Sequence, residues 1–244
     1  MKPVKAPPKS GGTNWILIGG IVGVGAILLI ALLLYSSTSG GGSINPRDAA
    51  TQTAESRLSL GELGQQLATY CEDNPQRCFA KGSETAPVTI FEFSDYGCGH
   101  CRDFNLDGGA DTIDTQYVKA GQVRWVNVPF ALRSETLPAA ASAMCAGEQG
   151  KLFEYHKVLF SQQTEAQGLA REGFVKAATT VGLDLNAFER CLDANKHVAD
   201  VNGNMTLANQ AGLEGTPTFF VNGQKLAGNN LAGLQQLINA ELAQ

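Results

Sequence analysis

The sequence predicts an α/β fold in which a β-α-β unit is followed by a long helical segment and two returning strands. A strand-like run at 88–94 leads directly into a Cys-x-x-Cys motif, and the segment 134–211 has helical periodicity almost throughout. Strand patterns return after that segment. An uncharged run, Trp15–Tyr35, precedes all of these features.

The N-terminal run has the pattern of a transmembrane helix. Trp15–Tyr35 is apolar and about as long as a helix needs to be to cross the hydrocarbon layer. Only lysines precede it, whereas both signs of charge follow it, so the tail 1–14 is expected in the cytoplasm and the bulk of the chain outside. A cleaved signal peptide is the alternative, but its apolar region is typically about 7 to 15 residues. Either way, disulfides persist where the domain is delivered.

Composition and periodicity divide the residues after the apolar run into further segments. Residues 36–46 are rich in Ser and Gly and predict a flexible linker. Residues 47–83 are expected to form an N-terminal helical extension, because leucines recur there at mixed helical spacing. The first part of the α/β core then spans 84–133, the inserted helical domain 134–211, and the second part of the core 212–244.

Composition limits the kinds of partner. The chain has 244 residues, a net charge of -5, and 18 lysines and arginines against 23 acidic residues. It has no dense basic run outside the N-terminus, so nucleic-acid binding has no electrostatic basis. The length suits one membrane anchor and one globular domain.

Within the core, the predicted β-α-β unit consists of strand 88–94, a helix from 98 to about 119, and strand 122–128. Gly108 and Gly109 predict a kink or break in that helix. Strands Thr218–Val221 and Lys225–Ala227 are joined by an Asn-Gly turn, and the amphipathic stretch Leu231–Leu242 is expected to cover the sheet. In the insertion, His156 falls on an apolar helix face and is expected to be a packing or surface residue.

The motif Cys98-Gly99-His100-Cys101 carries the chemistry. At the start of a helix, the Cys98 sulfur faces unpaired backbone N–H groups and the positive end of the helix dipole, so its pKa is expected to fall. Two intervening residues return Cys101 to its side, where the two sulfurs can form a disulfide. His100 can add a donor or a positive charge near Cys98. These features indicate a redox-active dithiol.

Three other interpretations of the motif compete with a redox-active dithiol. Half of a zinc site is an alternative, but no second closely spaced Cys or His pair accompanies it. A c-type haem site is excluded, because Arg102 rather than His follows Cys101. An inert structural disulfide would not ordinarily need a helix start or a histidine between its cysteines.

These residues carry a family resemblance over residues 84–244. The chain resembles membrane-anchored DsbA-like thiol-disulfide oxidoreductases of the thioredoxin superfamily. The resemblance rests on Phe91–Tyr96 leading into Cys98–Cys101, on the helical insertion, and on Gly215–Gly223. It implies a thioredoxin fold with an inserted all-helical domain, here preceded by the transmembrane helix.

The resemblance also implies roles for residues outside the motif. Pro217 matches the family's cis-proline beside the active-site disulfide, and Thr216 would offer its backbone to a substrate segment near Gly99. Glu92 matches the buried acid that exchanges a proton with Cys101, and burial would raise the pKa of its carboxyl. The chain has Gly-His inside the motif where the best-known oxidases have Pro-His, so oxidase and isomerase both stay open.

The other four cysteines are expected to form structural disulfides. Cys71 and Cys78 look like a local staple, and Cys145 and Cys191 both fall in the insertion, where some family members carry a bridge. The alternative is a second redox relay to Cys98. Neither pair has the two-residue spacing that positions a resolving thiol.

The expected activity is oxidation of thiols in exported proteins outside the cytoplasm, with no metal or bound cofactor. By family analogy, a quinone-linked membrane protein, DsbB-like or vitamin-K-epoxide-reductase-like, would reoxidise the dithiol. One alternative is a reductase or isomerase on the same fold. Another is a non-catalytic, chaperone-like module that binds exported chains.

Overall fold

The computed structural model describes residues 61–244. The predicted tail, transmembrane helix and linker, together with residues 47–60 of the predicted extension, lie outside this range. No helix within 61–244 has both the length and the apolar character that crossing a membrane requires.

The centre of the domain is a five-stranded sheet. Its strands are β1 (Phe79–Lys81), β2 (Val88–Ser94), β3 (Val123–Pro129), β4 (Thr218–Val221) and β5 (Gln224–Ala227). Their spatial order is β1-β3-β2-β4-β5. β2 and β3 are parallel, and the other pairs are antiparallel. The predicted β-α-β unit is confirmed, because a parallel pair requires a crossover connection.

Helices surround the sheet and fill the segment between β3 and β4. Residues 61–73 are helical (α1). The helices that follow are α2 (Gly99–Leu106), α3 (Gly109–Ile113), α4 (Leu137–Gly147), α5 (Leu152–Ser161), α6 (Arg171–Thr180), α7 (Leu185–Asp193), α8 (Val198–Gln210) and α9 (Leu231–Leu242). Short 3₁₀ turns lie at Pro75–Arg77 and Ser134–Thr136, and a π turn at Asp114–Val118. The predicted α/β class with a helical insertion is therefore confirmed.

Both faces of the sheet are covered, which explains why β2 is apolar on both sides. Alternate residues of a strand point to opposite faces. Ile90 packs in a cluster with residues of α2, α3 and α9, whereas Phe91 and Phe93 pack in another cluster with residues of α1 and α8. By the same alternation, Glu92 lies on the Ile90 face, beneath the helix that carries the motif.

The helix predicted over 98–119 is interrupted where its glycines predict. Gly108 has a left-handed backbone, with φ of 90°, and separates α2 from α3. A side chain at Gly109 would meet the Phe104 carbonyl oxygen at 2.8 Å, so the second glycine permits a close approach of α3 to α2. The break thus follows from the backbone of Gly108, and the small size of Gly109 permits the close packing beside it.

The predicted helical extension is wrong at its C-terminal end. Residues 79–81 form the edge strand β1, antiparallel to β3. Three residues are too few to show a strand period. The strand is fixed by contacts distant in sequence, since the Lys81 ammonium pairs with Asp114 and lies over the Trp125 and Phe153 rings.

Two disulfides connect the elements outside the motif. Cys71 at the end of α1 is bonded to Cys78, immediately before β1. Cys145 on α4 is bonded to Cys191 on α7 within the core of the insertion. Closing a loop as long as the second one stabilises a fold by about 4 kcal/mol on the chain-entropy relation.

Replacing Gly82 by alanine should destabilise the fold. Gly82 follows β1 with φ of 93°, and a Cβ there would lie 2.4 Å from the Val123 carbonyl oxygen of β3. Strain and overlap together should cost about 3 kcal/mol. Gly121→Ala is the matched control: its φ is 73° but no atom lies within 4 Å, so about 1 kcal/mol is expected. Denaturant unfolding of both full-length variants measures the change in the free energy of unfolding. Equal destabilisation by the two substitutions would contradict the predicted overlap at Gly82.

Candidate active site

The motif lies at the point where β2 passes into α2. Cys98 is the N-cap of α2, its N–H donates to the Asp95 carbonyl oxygen at 3.0 Å, and its own carbonyl accepts from the Arg102 N–H at 3.2 Å. Both motif cysteines are free thiols. Cys98 is partly exposed, whereas Cys101 is completely buried. Of the two motif sulfurs, only that of Cys98 is therefore accessible for thiol-disulfide exchange with another protein.

Several donors surround the Cys98 sulfur. The Cys101 thiol donates a hydrogen bond that lowers the pKa of Cys98 most, while burial opposes it. The Thr216 side chain and the backbone N–H groups of Cys101 and His100 add to the effect, and the resulting pKa of Cys98 is about 5. Cys98 is consequently a thiolate at neutral pH, as expected for the first residue of such a motif.

The Cys101 thiol is shifted in the opposite direction. Burial raises the pKa of Cys101 well above its usual range, and the negative charge of the neighbouring Cys98 raises it further. A low-pKa exposed thiol thus lies beside a high-pKa buried one. The proton of the reduced pair resides on Cys101, which is the donor that stabilises Cys98.

Gly99 and His100, between the cysteines, are both exposed. A side chain at Gly99 would meet no atom within 4 Å, so the surface next to Cys98 is open. The contribution of His100 to the Cys98 pKa comes through its backbone N–H. This differs from the expectation that its imidazole supplies the donor.

Thr216 and Pro217 lie against the motif, although Thr216 is 118 residues from Cys98 in sequence. Their peptide bond is cis. The Cys98 thiol lies 3.2 Å from the Thr216 carbonyl oxygen. The Thr216 side chain is buried and lowers the pKa of both cysteines. The resemblance pointed to the backbone of Thr216, whereas its hydroxyl is an additional donor near the sulfurs.

Glu92 is buried, with 1% of its surface exposed, so it is not the surface acid that an alternating strand would allow. The register places Asn127 of β3 directly beside it. Its carboxylate accepts from the Ser94 hydroxyl, from the Trp125 indole N–H at 2.9 Å and from the Asn127 amide at 3.2 Å. None of these hydrogen bonds joins Glu92 to Cys101.

The expected rise in the pKa of Glu92 is wrong. Burial raises the pKa, but His156, Ser94 and Asn127 favour the carboxylate, and together they lower the pKa of Glu92 below its ordinary value. A buried carboxylate that accepts several hydrogen bonds remains ionised. Sequence reasoning included the burial of this acid but not the donors from β3 and α5.

Asp95 and Gln163 also hold the motif, and sequence reasoning missed both. The Asp95 carboxylate accepts from the Gly97 N–H at 2.6 Å, the Leu132 N–H and the Thr136 hydroxyl. The Gln163 amide donates to the Cys98 carbonyl oxygen at 3.0 Å and to that of Tyr96. The Asp95–Gly97 turn has a local signal, because Asp often accepts from the N–H two residues later. Gln163 has none.

His197 lies near the second disulfide. Within 61–244, the one cluster of side chains with the ligand types and spacing of a metal site consists of Cys145, Cys191 and His197. Both sulfurs are in the disulfide. The His197 imidazole bonds Asp200 at 2.9 Å and Glu148 at 3.1 Å. These contacts fasten α4 to the start of α8, and the motif cysteines do not belong to this cluster.

The stability of the reduced protein should depend on pH through Cys98. The thiol has a pKa of about 5 in the folded protein, whereas an unperturbed cysteine has a pKa of about 8.5. Between these values the unfolded chain binds more protons, so stability rises with pH across this window and is lost as pH falls through about 5. Urea unfolding of the full-length reduced protein from pH 6 to about 8.5 measures the rise. Cys98→Ser should abolish it, and a rise that survives in this variant would contradict the assignment.

Comparisons with known proteins agree with this geometry. Residues 75–240 match the family model described as Thioredoxin. Disulfide bond formation protein D of Bacillus subtilis is 30% identical over 147 residues, which cover 58% of this chain and 66% of that protein. The Na(+)/H(+) antiporter NhaA 1 of Salinispora arenicola is 28% identical over 172 residues, 70% of this chain. The match spans only 26% of the antiporter's length.

The fold is also similar to that of solved structures. Oxidised BdbD from Bacillus subtilis superposes with a TM-score of 0.61 at 22% identity, and the match covers 68% of this chain and 92% of that one. The family match includes β2, the motif, the helical insertion and the cis-proline segment. The chain therefore belongs to the thioredoxin family and has the DsbA-like architecture, in which a helical domain is inserted into the thioredoxin fold.

Proposed function

We propose that this chain is a DsbA-like thiol-disulfide oxidoreductase that forms disulfide bonds in exported proteins. The observation that carries the proposal is the asymmetric pair of thiols, with an accessible Cys98 of pKa about 5 beside a buried Cys101 of raised pKa. The name of the Bacillus subtilis relative, disulfide bond formation protein D, supports the same activity.

The low pKa of Cys98 supports the oxidising direction of the reaction. Its thiolate is stabilised only when the pair is reduced, so the folded protein favours the dithiol form over the disulfide. A stabilised dithiol makes the disulfide a stronger oxidant. This favours oxidation of substrates over their reduction.

The catalytic cycle begins with the Cys98–Cys101 disulfide. A substrate thiolate attacks the Cys98 sulfur, the disulfide bond breaks, and its electron pair goes to Cys101, which takes up a proton. A second substrate thiolate then attacks the substrate sulfur of the mixed disulfide and releases Cys98 as a thiolate. The substrate loses two electrons to the cysteine pair and gains a disulfide.

Other residues serve these steps. In this proposal the Thr216 hydroxyl and the N–H groups near the helix start stabilise the leaving Cys98 thiolate. The segment at Thr216 and Pro217 lies beside Cys98 and offers backbone to a docked substrate, next to the open surface at Gly99 and the exposed His100. As a carboxylate, Glu92 would be the base in the proton exchange with Cys101, taking up the proton that Cys101 loses when the disulfide re-forms.

Turnover needs an electron acceptor. We propose a quinone-linked membrane protein, DsbB-like or vitamin-K-epoxide-reductase-like, as the partner that reoxidises Cys98 and Cys101. The segment 15–35 would hold the domain at the outer face of the cell membrane, which raises its effective concentration near that partner. The substrates would be reduced proteins that have been exported.

The redox equilibrium with glutathione tests the direction. Quenched mixtures of full-length protein and glutathione should give a reduction potential above about −180 mV, the range of oxidising thiol proteins. Cys101→Ser is the control, because it can form a mixed disulfide but no internal one. A potential near −270 mV, as in thioredoxin, would overturn the oxidase in favour of a reductase.

Reoxidation of an unfolded, reduced substrate separates the enzyme from a binding module. The oxidised protein should generate substrate disulfides in stoichiometric amounts, and Cys98→Ser should generate none. The chaperone-like alternative would be favoured if neither protein formed disulfides and if Cys98→Ser assisted the folding of a cysteine-free substrate as well as the unaltered protein does.

A further inference from the structure

Glu92 and His156 form a buried pair that joins the sheet to the helical insertion. Glu92 lies on β2, His156 lies on α5, and 1% and 3% of their surfaces are exposed. The His156 Nε2 atom is 3.8 Å from the Glu92 Oε1 atom and has no hydrogen-bond partner among residues 61–244. A buried polar atom without a partner is rare and calls for an explanation.

The neighbouring Tyr96 fixes the orientation of the imidazole. Its hydroxyl is buried and lies 2.9 Å from His156 Nδ1, which is its one hydrogen-bond partner within 61–244. Burial raises the pKa of Tyr96 well above its ordinary value, so the hydroxyl keeps its proton. A buried O–H must donate to avoid a desolvation cost, so Nδ1 is the acceptor.

This arrangement selects one tautomer of His156. A neutral imidazole whose Nδ1 accepts a hydrogen bond carries its proton on Nε2. That nitrogen faces the Glu92 carboxylate. The Tyr96 hydroxyl therefore donates to His156 Nδ1, and the Nε2–H group of His156 points toward the Glu92 carboxylate.

Few other titratable groups lie close to Tyr96, His156 and Glu92. Asp95 follows β2, and Tyr155 precedes His156 on α5; both act on Tyr96, and Glu92 does so as well. The imidazole also packs edge-on against the rings of Tyr96 and Phe160. No lysine or arginine in the described part of the chain forms an ion pair with Glu92. His156 is thus the one basic side chain among the described residues that is paired with Glu92, beside the three donors already named.

We propose that His156 is a positioning residue for Glu92: its Nε2–H, directed by the Tyr96 hydroxyl, holds Glu92 as a carboxylate and sets the pH at which Glu92 takes up a proton. The inference rests on the proposed function, in which Glu92 exchanges a proton with Cys101. It assigns to the inserted helical domain a direct influence on the acid of the thioredoxin core.

A carbon-13 NMR titration of the Glu92 carboxyl tests the proposal without any exchange reaction. The sample is the full-length reduced protein labelled at glutamate carboxyls, and the Glu92 signal is the one missing from Glu92→Gln. In His156→Phe the ring remains but the donor is lost, so the titration midpoint of Glu92 should rise by about one pH unit. His156→Gln keeps an N–H donor and should return the midpoint toward that of the unaltered protein.

The control and the second variant keep the test decisive. Tyr155→Phe removes an equally buried hydroxyl from the same helix, one that bonds Ser142 rather than Glu92, and should leave the midpoint unchanged. Should His156→Phe fail to fold, Tyr96→Phe frees the imidazole to change tautomer and should raise the midpoint by a smaller amount. An unchanged midpoint in the folded variants would reduce His156 to a packing residue. Loss of the proposed function would instead appear as an absence of disulfide transfer by the unaltered protein.

Discussion

The hydrogen bond from the buried Cys101 thiol to the Cys98 sulfur is the interaction on which the rest of the site depends. It exists because two intervening residues return the chain to the same side of α2. Among the contacts of Cys98 it lowers the pKa most, and Cys101 can donate because its burial raises its own pKa and so keeps its proton in place. Burial of one thiol and partial exposure of the other thus divide their roles, so that one reacts and the other supplies the proton.

The fold keeps this pair in place from three directions. Asp95 ties the loop before Cys98 to the residues that follow β3, and Gln163 binds its carbonyl groups from the end of α5. Thr216 approaches the sulfurs from the segment before β4. The helical insertion and both halves of the core therefore contribute to one loop, and a charge-stabilised sulfur needs such fixed donors because reorienting them would cost energy.

The sequence was sufficient for the elements with strong local patterns. β2 has seven residues with apolar character on both faces, and the break at Gly108 follows from local backbone preference. The sequence was insufficient for β1, whose three residues carry no period, and for Gln163, which meets Cys98 across 65 residues of sequence. For Glu92 the burial was predictable, but the direction of its pKa depended on donors brought by the register of β3 and by α5.

The ionisation of Cys98 is the most direct measure of the central claim. The ultraviolet absorbance of its thiolate can be followed against pH in the full-length reduced protein, with Cys98→Ser as the reference. The arrangement of donors predicts a midpoint of about 5. A midpoint near 8.5, the value of a free cysteine, would mean that the neighbouring groups do not activate the sulfur.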